Sequence, residues 1–599
     1  MLHAPTETVG CFISPTYFRA AKKDSKANMS EIATTPPAKE TKAQKSERLK
    51  LAKNPWEAWD EVRRYAREGR TSLPPEWAEF YMKWWGVYTQ GDGLGVTGGK
   101  DGVGKATEYF MMRIGLPNGM LTSHQLRVIG EITKKHARNL ADITTRQNIQ
   151  LHWLTIDTLV ETIDALTEIG MSPKGACGDV VRNVTGCPLA GCHGHELLDA
   201  SPLAVKVAHT LTANPEFYNL PRKFKISVTG CPEWCSYPEI NDVGLTAIRR
   251  GDEIGYTLRV GGGLSTEPHI AVRIPAFIPQ NKALEVVETV VRIFREQTEL
   301  RESRTHARIK YLFMKHGWTA ESMLAAIEDK LGYKLDPSPV SEDAVPDDIY
   351  RDHIGVTRQK QAGLSAVGAS VMGGRLSGDQ LIELADLAKE YGSGELRATI
   401  MQNIILVNVP NARTTELVHA LNRMGLQVEV SPFWRGAIAC TGTEFCKLAI
   451  AETKAFSKWL TAEMEDRLPA FDQQIKLHVT GCTNSCGQSW IADIGLEGKK
   501  IKKDGKLVDA FYFCVGGAVG KYAGIARQIG YRAAAEDCPE AVERLLRGYL
   551  ALREPGEDLR AYFARTTDET LREHLAGAVV EAVERDAAPV GAGQHAPAE

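Results

Sequence analysis

No apolar run in this 599-residue sequence approaches the ~18 consecutive residues of a membrane span. The opening MLHAPTETVGCFIS lacks the charged segment followed by an apolar stretch that marks a secretory signal. Charge of one sign is also missing. Lys plus Arg number 72 and Asp plus Glu number 75, so the formal net charge is -3 and gives no reason to expect a nucleic-acid partner. Nucleotide signatures are absent too. The glycine stretches Val260-Gly261-Gly262-Gly263 and Val515-Gly516-Gly517-Ala518 lack the full G-x-G-x-x-G, and there is no P-loop. The chain therefore has no flavin or nicotinamide module, and its electrons come from a separate carrier.

What is present is clustered cysteine. Of twelve, eight fall into two groups of four, leaving Cys11, Cys177, Cys514 and Cys538. Short spacings in a long chain point to metal ligation in a reducing compartment, the cytoplasm, rather than to a disulfide framework. Cys440 and Cys446 form a C-x5-C, and Cys482 and Cys486 a C-x3-C in Thr-Gly-Cys-Thr-Asn-Ser-Cys-Gly. Zinc knuckles use C-x2-C, and the wider pairs suit a cubane iron–sulfur cluster. Lys476-Leu477-His478-Val479 reads as a strand running into Cys482. Cys446 is expected to open a helix reaching about Leu468, with the thiolates in the positive end of its dipole.

At these residues the chain resembles the sirohaem- and [4Fe-4S]-dependent nitrite and sulfite reductases of the assimilatory, ferredoxin-dependent type. The resemblance runs from about Trp77 to about Ala582. It implies that Cys440, Cys446, Cys482 and Cys486 hold the cluster, with Cys486 bridging to the sirohaem iron. It also puts Asn484, Gln147, Asn183, Tyr88 and Cys177 at the cofactor.

An internal duplication at an offset of roughly 250 residues supports this. Thr144-Thr145-Arg146-Gln147-Asn148-Ile149 answers Thr399-Ile400-Met401-Gln402-Asn403-Ile404. Thr229-Gly230-Cys231-Pro232-Glu233-Trp234-Cys235 answers Thr480-Gly481-Cys482-Thr483-Asn484-Ser485-Cys486. The implied fold is α/β (α+β): two ferredoxin-like lobes and two larger α/β domains about a pseudo-twofold axis. The expected boundaries are a disordered segment 1–50, an N-terminal extension with the first ferredoxin-like half-domain 51–172, and a first sirohaem/substrate domain 173–345. A second ferredoxin-like half-domain 346–432, a [4Fe-4S]/sirohaem domain 433–585 and a loose tail 586–599 follow. Met29 is a second candidate start.

Four basic residues match the family's anion-pocket motifs: Arg146 in TTRQNIQL, Arg182 in VVRNVTG, and Lys223 and Lys225 in LPRKFKI. Arg offers fixed, permanently charged donors, and Lys can release a proton when partly buried. Strand alternation puts both lysines on one face, where they repel unless an anion or the sirohaem carboxylates lie between them. A lone Lys or Arg is ordinarily a surface charge; four in family motifs read as a pocket. Lys225 and Cys177 resemble the sulfite branch, where a cysteine at this place is joined in some members to a tyrosine, here Tyr88. The stretches Leu121-Thr122-Ser123-His124-Gln125 and Ala141-Asp142-Ile143 look more like nitrite reductases.

Cys187, Cys192, Cys231 and Cys235 depart from the family pattern. They read either as buried thiols left by the duplication or as ligands of a second metal or cluster. Lys499, Lys500, Lys502, Lys503 and Lys506 flank Asp504-Gly505, an expected hairpin turn, and could dock an acidic ferredoxin or simply be a solvated turn. The leading function is an oxidoreductase that reduces sulfite to sulfide in a six-electron reaction. Nitrite to ammonia is the near alternative, and a non-catalytic iron–sulfur or zinc protein the distant one.

Overall fold

The computed structural model describes residues 40–91, 109–347, 350–581 and 583. The expectations for Met29, for the tail 586–599 and for most of the segment 1–50 lie outside the described residues. Within that segment, the expected disorder fails at its end: Lys42–Ala52 is a helix with a Thr41/Gln44 capping box. Its anchor is tertiary. Buried Lys50 donates from Nζ to the Leu220 carbonyl at 2.9 Å and lies 3.5 Å from Asp179.

The duplication is visible strand by strand. One sheet runs Val87–Thr89, Phe110–Ile114, Ile149–Leu154, Ala141–Ile143 and Arg375–Leu376. Its counterpart runs Gly355–Arg358, Leu364–Ala369, Ile404–Pro410, Glu395–Ala398 and Met120–Thr122. Each thus takes its last strand from the other half, with Arg375 opposite Asp142 and Leu396 opposite Leu121. The helices that follow the exchanged strands, Ser123–His136 and Gly378–Tyr391, are both capped by boxes, Thr122/Gln125 and Ser377/Gln380. They cross at Gly130 and Gly378, where a Cβ on either would lie under 3 Å from the other's carbonyl.

The two larger sheets carry the cysteines. Ala437–Ala439, Leu477–Thr480 and Ile494–Lys503 pair in parallel, as do Thr185–Gly186, Ile226–Thr229 and Val243–Arg250. Cys440 and Cys482 follow the C-terminal ends of the first set, Cys187 and Cys231 those of the second. The carboxyl ends of parallel strands are where open α/β sheets place ligands. The backbone repeats its unusual conformations as well: φ is positive at Gln147 and Gln402, at Trp234 and Ser485, and at Tyr237 and Gln488.

Two local expectations fare differently. Asp504 and Gly505 both have positive φ and join Lys503 to Lys506 as a two-residue hairpin turn. The helix expected from Cys446 begins only at Lys454 and ends at Arg467. Residues 447–453 fold back instead, with Ile450 N–H donating to the Gly481 carbonyl at 2.7 Å. Glu452 then caps the helix through Ala455 and Phe456 N–H.

Candidate functional site

The second-half quartet is built by two turns from adjacent strands. Gly481 N–H donates to Cys440 Sγ at 3.2 Å, and Asn484 Nδ2 to Cys482 Sγ at 3.5 Å. Thr453, the residue before the helix, lies with its hydroxyl 3.8 Å from Cys440 Sγ. The helix N-terminus therefore faces Cys440, not Cys446 as expected. Burial pushes the Cys446 thiol up to about 12, helped by Cys486 and Cys440, and raises Cys482 well above its ordinary value for the same reasons. Four thiols that oppose one another's ionisation are stabilised as thiolates by a cationic metal centre. Among the described residues, no three of these four bring their sulfurs within 4.8 Å of one another. A single tetrahedral ion needs sulfurs about 3.8 Å apart, so the wider set fits a cubane cluster.

Cys486 is exposed and lies within electrostatic reach of Lys223 and Arg113. Thr145 Oγ1 donates to its carbonyl at 3.2 Å, which ties the first-half loop 144–148 to the last cysteine of the quartet. Arg146, next along that loop, donates from Nη1 to Asn241 Oδ1 at 2.8 Å and from Nη2 to the Asn183 carbonyl at 2.6 Å. Its Nε is buried without a partner. Burial, with Arg182, Arg308 and Arg113 nearby, lowers Arg146 to about 9. Lys223 and Lys225 share one face of an extended segment, while Phe224 points into the core between them. Burial lowers Lys223 to about 7, with Arg308, Arg222 and Arg182 adding to the shift and Cys486 opposing it. Burial and then Lys223, Arg146 and Arg308 push Lys225 well below its ordinary value. Asp242, a buried carboxylate beside them, is engaged by Arg308 at 2.9 and 2.8 Å and by the Lys225 N–H at 2.7 Å, and Asp179 is taken up by Lys50, Arg222 and Arg304. Such an excess of buried positive charge is costly without an anion. It fits both a small oxyanion and the carboxylates of sirohaem, and the orphaned Arg146 Nε supplies a donor for either.

Arg182 belongs to the same group but is held back: Nε and Nη2 donate to the Gly178 carbonyl and Nη1 to that of Ala176. Cys177, in the loop thus clamped, is in hydrogen-bonding contact with Tyr88, whose phenol is pushed up to about 12 by burial and by Cys177. Arg113 Nη1 donates to Cys177 Sγ at 3.5 Å.

Two expected cofactor residues have backbone partners. Gln147 is fully buried, and its amide is spent on backbone: Nε2 donates to the Ala398 and Asn118 carbonyls, and Oε1 accepts from Gly186 N–H. Its repeat partner Gln402 does the same in reverse, to the Ile143 carbonyl and from Ala439 N–H. The pair ties the halves together, and both amide protons of Gln147 are engaged in doing so. Asn183 Nδ2 donates to the Leu116 and Arg146 carbonyls and so positions the Arg146 loop. Asn484 touches a cluster thiol, as described.

Sequence reasoning missed Arg113, Asp242 and Arg308. The two arginines carry a signal in retrospect: Arg113 in Phe-Met-Met-Arg-Ile and Arg308 in Ala-Arg-Ile are charges among apolar neighbours.

Comparison with known proteins agrees with this geometry. The family model described as the nitrite and sulphite reductase 4Fe-4S domain matches residues 177–335 and 432–578. The model for the nitrite/sulfite reductase ferredoxin-like half domain matches 103–169 and 357–424. The chain belongs to the nitrite and sulfite reductase family. Relatives within the family include an assimilatory ferredoxin-dependent nitrite reductase of Haloferax mediterranei, 36% identical over 86% of this chain and 90% of that protein. A ferredoxin sulfite reductase of Mycolicibacterium paratuberculosis is 35% identical over 88% of this chain and 96% of its own length. The solved structure of the Mycobacterium tuberculosis NirA protein superposes with a TM-score of 0.83 at 34% identity, covering 88% of this chain and 97% of that one. The cofactors of the family, sirohaem and a [4Fe-4S] cluster, match the two donor sets found here, the cationic pocket and the quartet behind it.

Proposed function

We propose that this reductase converts sulfite to sulfide with electrons from reduced ferredoxin, with nitrite to ammonia as the second reading. The observation that carries it is the pair Lys223 and Lys225 beside Arg146, with exposed Cys486 within electrostatic reach of Lys223. Sirohaem, when bound there, supplies the iron that holds the anion and passes it electrons, and Cys440, Cys446, Cys482 and Cys486 hold the cluster that feeds it. Arg146, with its unpartnered Nε, is the guanidinium placed to orient oxyanion oxygens and cofactor carboxylates, and Arg182 adds fixed positive charge behind the Gly178 and Ala176 carbonyls it holds. Lys223, held near neutrality, can both carry charge and release a proton as oxygen leaves as water. Lys225 adds a second cation, which favours the more highly charged sulfite. The nitrite reading draws on the named nitrite-reducing relative.

The Tyr88–Cys177 contact supports a thioether between them, formed with loss of the thiol hydrogen and one ring hydrogen to an external two-electron oxidant such as dioxygen. A tryptic fragment containing both residues and lighter by two hydrogens is the expected finding; separate unmodified peptides would remove the crosslink. Ferredoxin is the expected donor. Of the five hairpin lysines, Lys500 pairs with Asp509, and Lys503 with Glu536 and Asp537, while Lys502 and Lys506 are exposed. Docking through this hairpin therefore rests on Lys502 and Lys506, with Lys499 at its base. Charge reversal of Lys502 and Lys506 should raise KM for ferredoxin but not for a small viologen donor. Among the described residues no helix is long and apolar enough to cross a membrane, and the free cysteines suit a reducing compartment such as the cytoplasm.

A further inference from the structure

The first-half cysteines are not a copy of the cluster site. Cys187 and Cys235 bring their sulfurs to 3.2 Å, and Cys231 lies beside them with its Sγ 3.4 Å from His193 Nδ1. Cys192 shares the same buried cluster but faces Arg397, Glu395 and Glu196. In its place a histidine arrives from the other half of the chain. A ring nitrogen of His353 and the sulfurs of Cys187 and Cys235 all lie within 4.8 Å of one another. His353 Nε2 is buried with no hydrogen-bond partner. The residue is held at φ 59, a left-handed conformation that costs a β-carbon residue energy and persists where surrounding structure imposes it. Its backbone lies against strand Leu364–Ala369 at Gly368, where a Cβ would meet the His353 carbonyl at 1.8 Å. The contrast with the second half is direct. Cys486 is exposed, while its repeat partner Cys235 is fully buried beneath this segment.

We propose that Cys187, Cys235 and His353 bind one zinc ion as a structural centre, separate from the [4Fe-4S] cluster, with Cys231 turning in from its contact with His193 to complete the tetrahedron. Three thiolates and one imidazole are an established tetrahedral zinc set, and sulfurs this close suit one ion rather than a multi-iron cluster. Binding displaces the three thiol protons and fills the vacant Nε2. An outer shell is present: His193 Nδ1 lies 3.4 Å from Cys231 Sγ, and Glu233 lies 3.7 Å from His193 Nε2. His195, largely exposed, completes this second group and opens it to solvent. The ion would pin the segment leading into the second ferredoxin-like lobe onto the first-half cysteine loops.

The test is elemental analysis of the purified holoenzyme after dialysis against EDTA. One zinc per chain is expected beside the iron of the sirohaem and cubane. Cys235→Ser and His353→Ala should each lose it while the haem and cluster absorption stays. His193→Ala should keep the zinc but weaken it roughly 10- to 100-fold, as loss of an outer-shell partner does. Should the variants fail to fold, wild type grown with cobalt should show the intense visible bands of tetrahedral thiolate-bound Co(II). Absence of zinc in the wild type, zinc retained in Cys235→Ser, an extra iron in its place, or a Cys187–Cys235 disulfide would each overturn the proposal.

Discussion

Replacing Lys225 by Asn isolates the residue on which the choice of anion turns. Lys225 sits on the same face as Lys223, within reach of Arg146 and Arg308, and its ammonium form is disfavoured by burial and by each of these cations. A charge held in such company is stabilised by the anion that enters, so the lysine acts most where the incoming charge is greatest. Loss of one charge-assisted hydrogen bond to an anion costs about 1.5–3 kcal/mol, or roughly a tenfold to hundredfold loss of kcat/KM. Sulfite, the more highly charged anion, should bear that loss, and nitrite substantially less. The same substitution removes a repulsion from the pocket, so the cofactor-free protein should be no less stable than wild type. That separates an effect on the anion from a folding defect. The assay is steady-state turnover of both anions with one donor, reduced ferredoxin. Equal losses on both anions would refute the assignment of selectivity to Lys225. A destabilised apoprotein would refute the picture of a repelling pair.

Cys486→Ser should bleach the iron–sulfur absorption, since a hydroxyl is a poor ligand for a soft metal, and should also shift the haem Soret band; an unchanged haem spectrum would contradict the bridging position. In the cofactor-free protein Lys223 releases its proton near pH 7, whereas the unfolded chain keeps it to about pH 10.5. The unfolded state then binds more protons between these values, so the cofactor-free Tm should rise with pH from about 7 upward, with Lys225 acting in the same direction. Loading with sirohaem should flatten this rise, and a cofactor-free Tm that falls over the same window would contradict the buried, uncompensated lysines.

Much of this site was legible because its determinants are local. The C-x5-C and C-x3-C spacings, the alternation of Lys223 and Lys225 about Phe224, and the Asp504-Gly505 turn each act over a few residues; the turn forms as expected and Phe224 is buried between the two lysines. What the sequence did not show depends on contacts far along the chain. Gln147 lies in a motif that reads as functional, yet its partners are backbone groups including Ala398, in the opposite half. The apolar Ala449-Ile450-Ala451 invites a helix from Cys446, and only the Gly481 carbonyl, met by the Ile450 N–H, shows that it is a strap instead. The helix Lys42–Ala52 looked disordered because its anchoring carboxylate, Asp179, belongs to a distant loop. His353 gave no sequence signal, since a histidine with no fixed spacing to the cysteines becomes a ligand candidate only once the halves are packed together.

The measurement that bears most directly on the reductase reading is the product stoichiometry of the purified holoenzyme supplied with reduced ferredoxin and one anion at a time. The expected result is sulfide from sulfite, six ferredoxin electrons consumed per product, with a sirohaem spectrum present in the resting protein. A protein that shows cluster absorption but oxidises ferredoxin with neither anion would be an electron carrier, and the assignment of the Arg146, Lys223 and Lys225 face to substrate would fall. Strong turnover of nitrite to ammonia with little sulfide from sulfite would set aside the sulfite assignment and leave the nitrite reading standing.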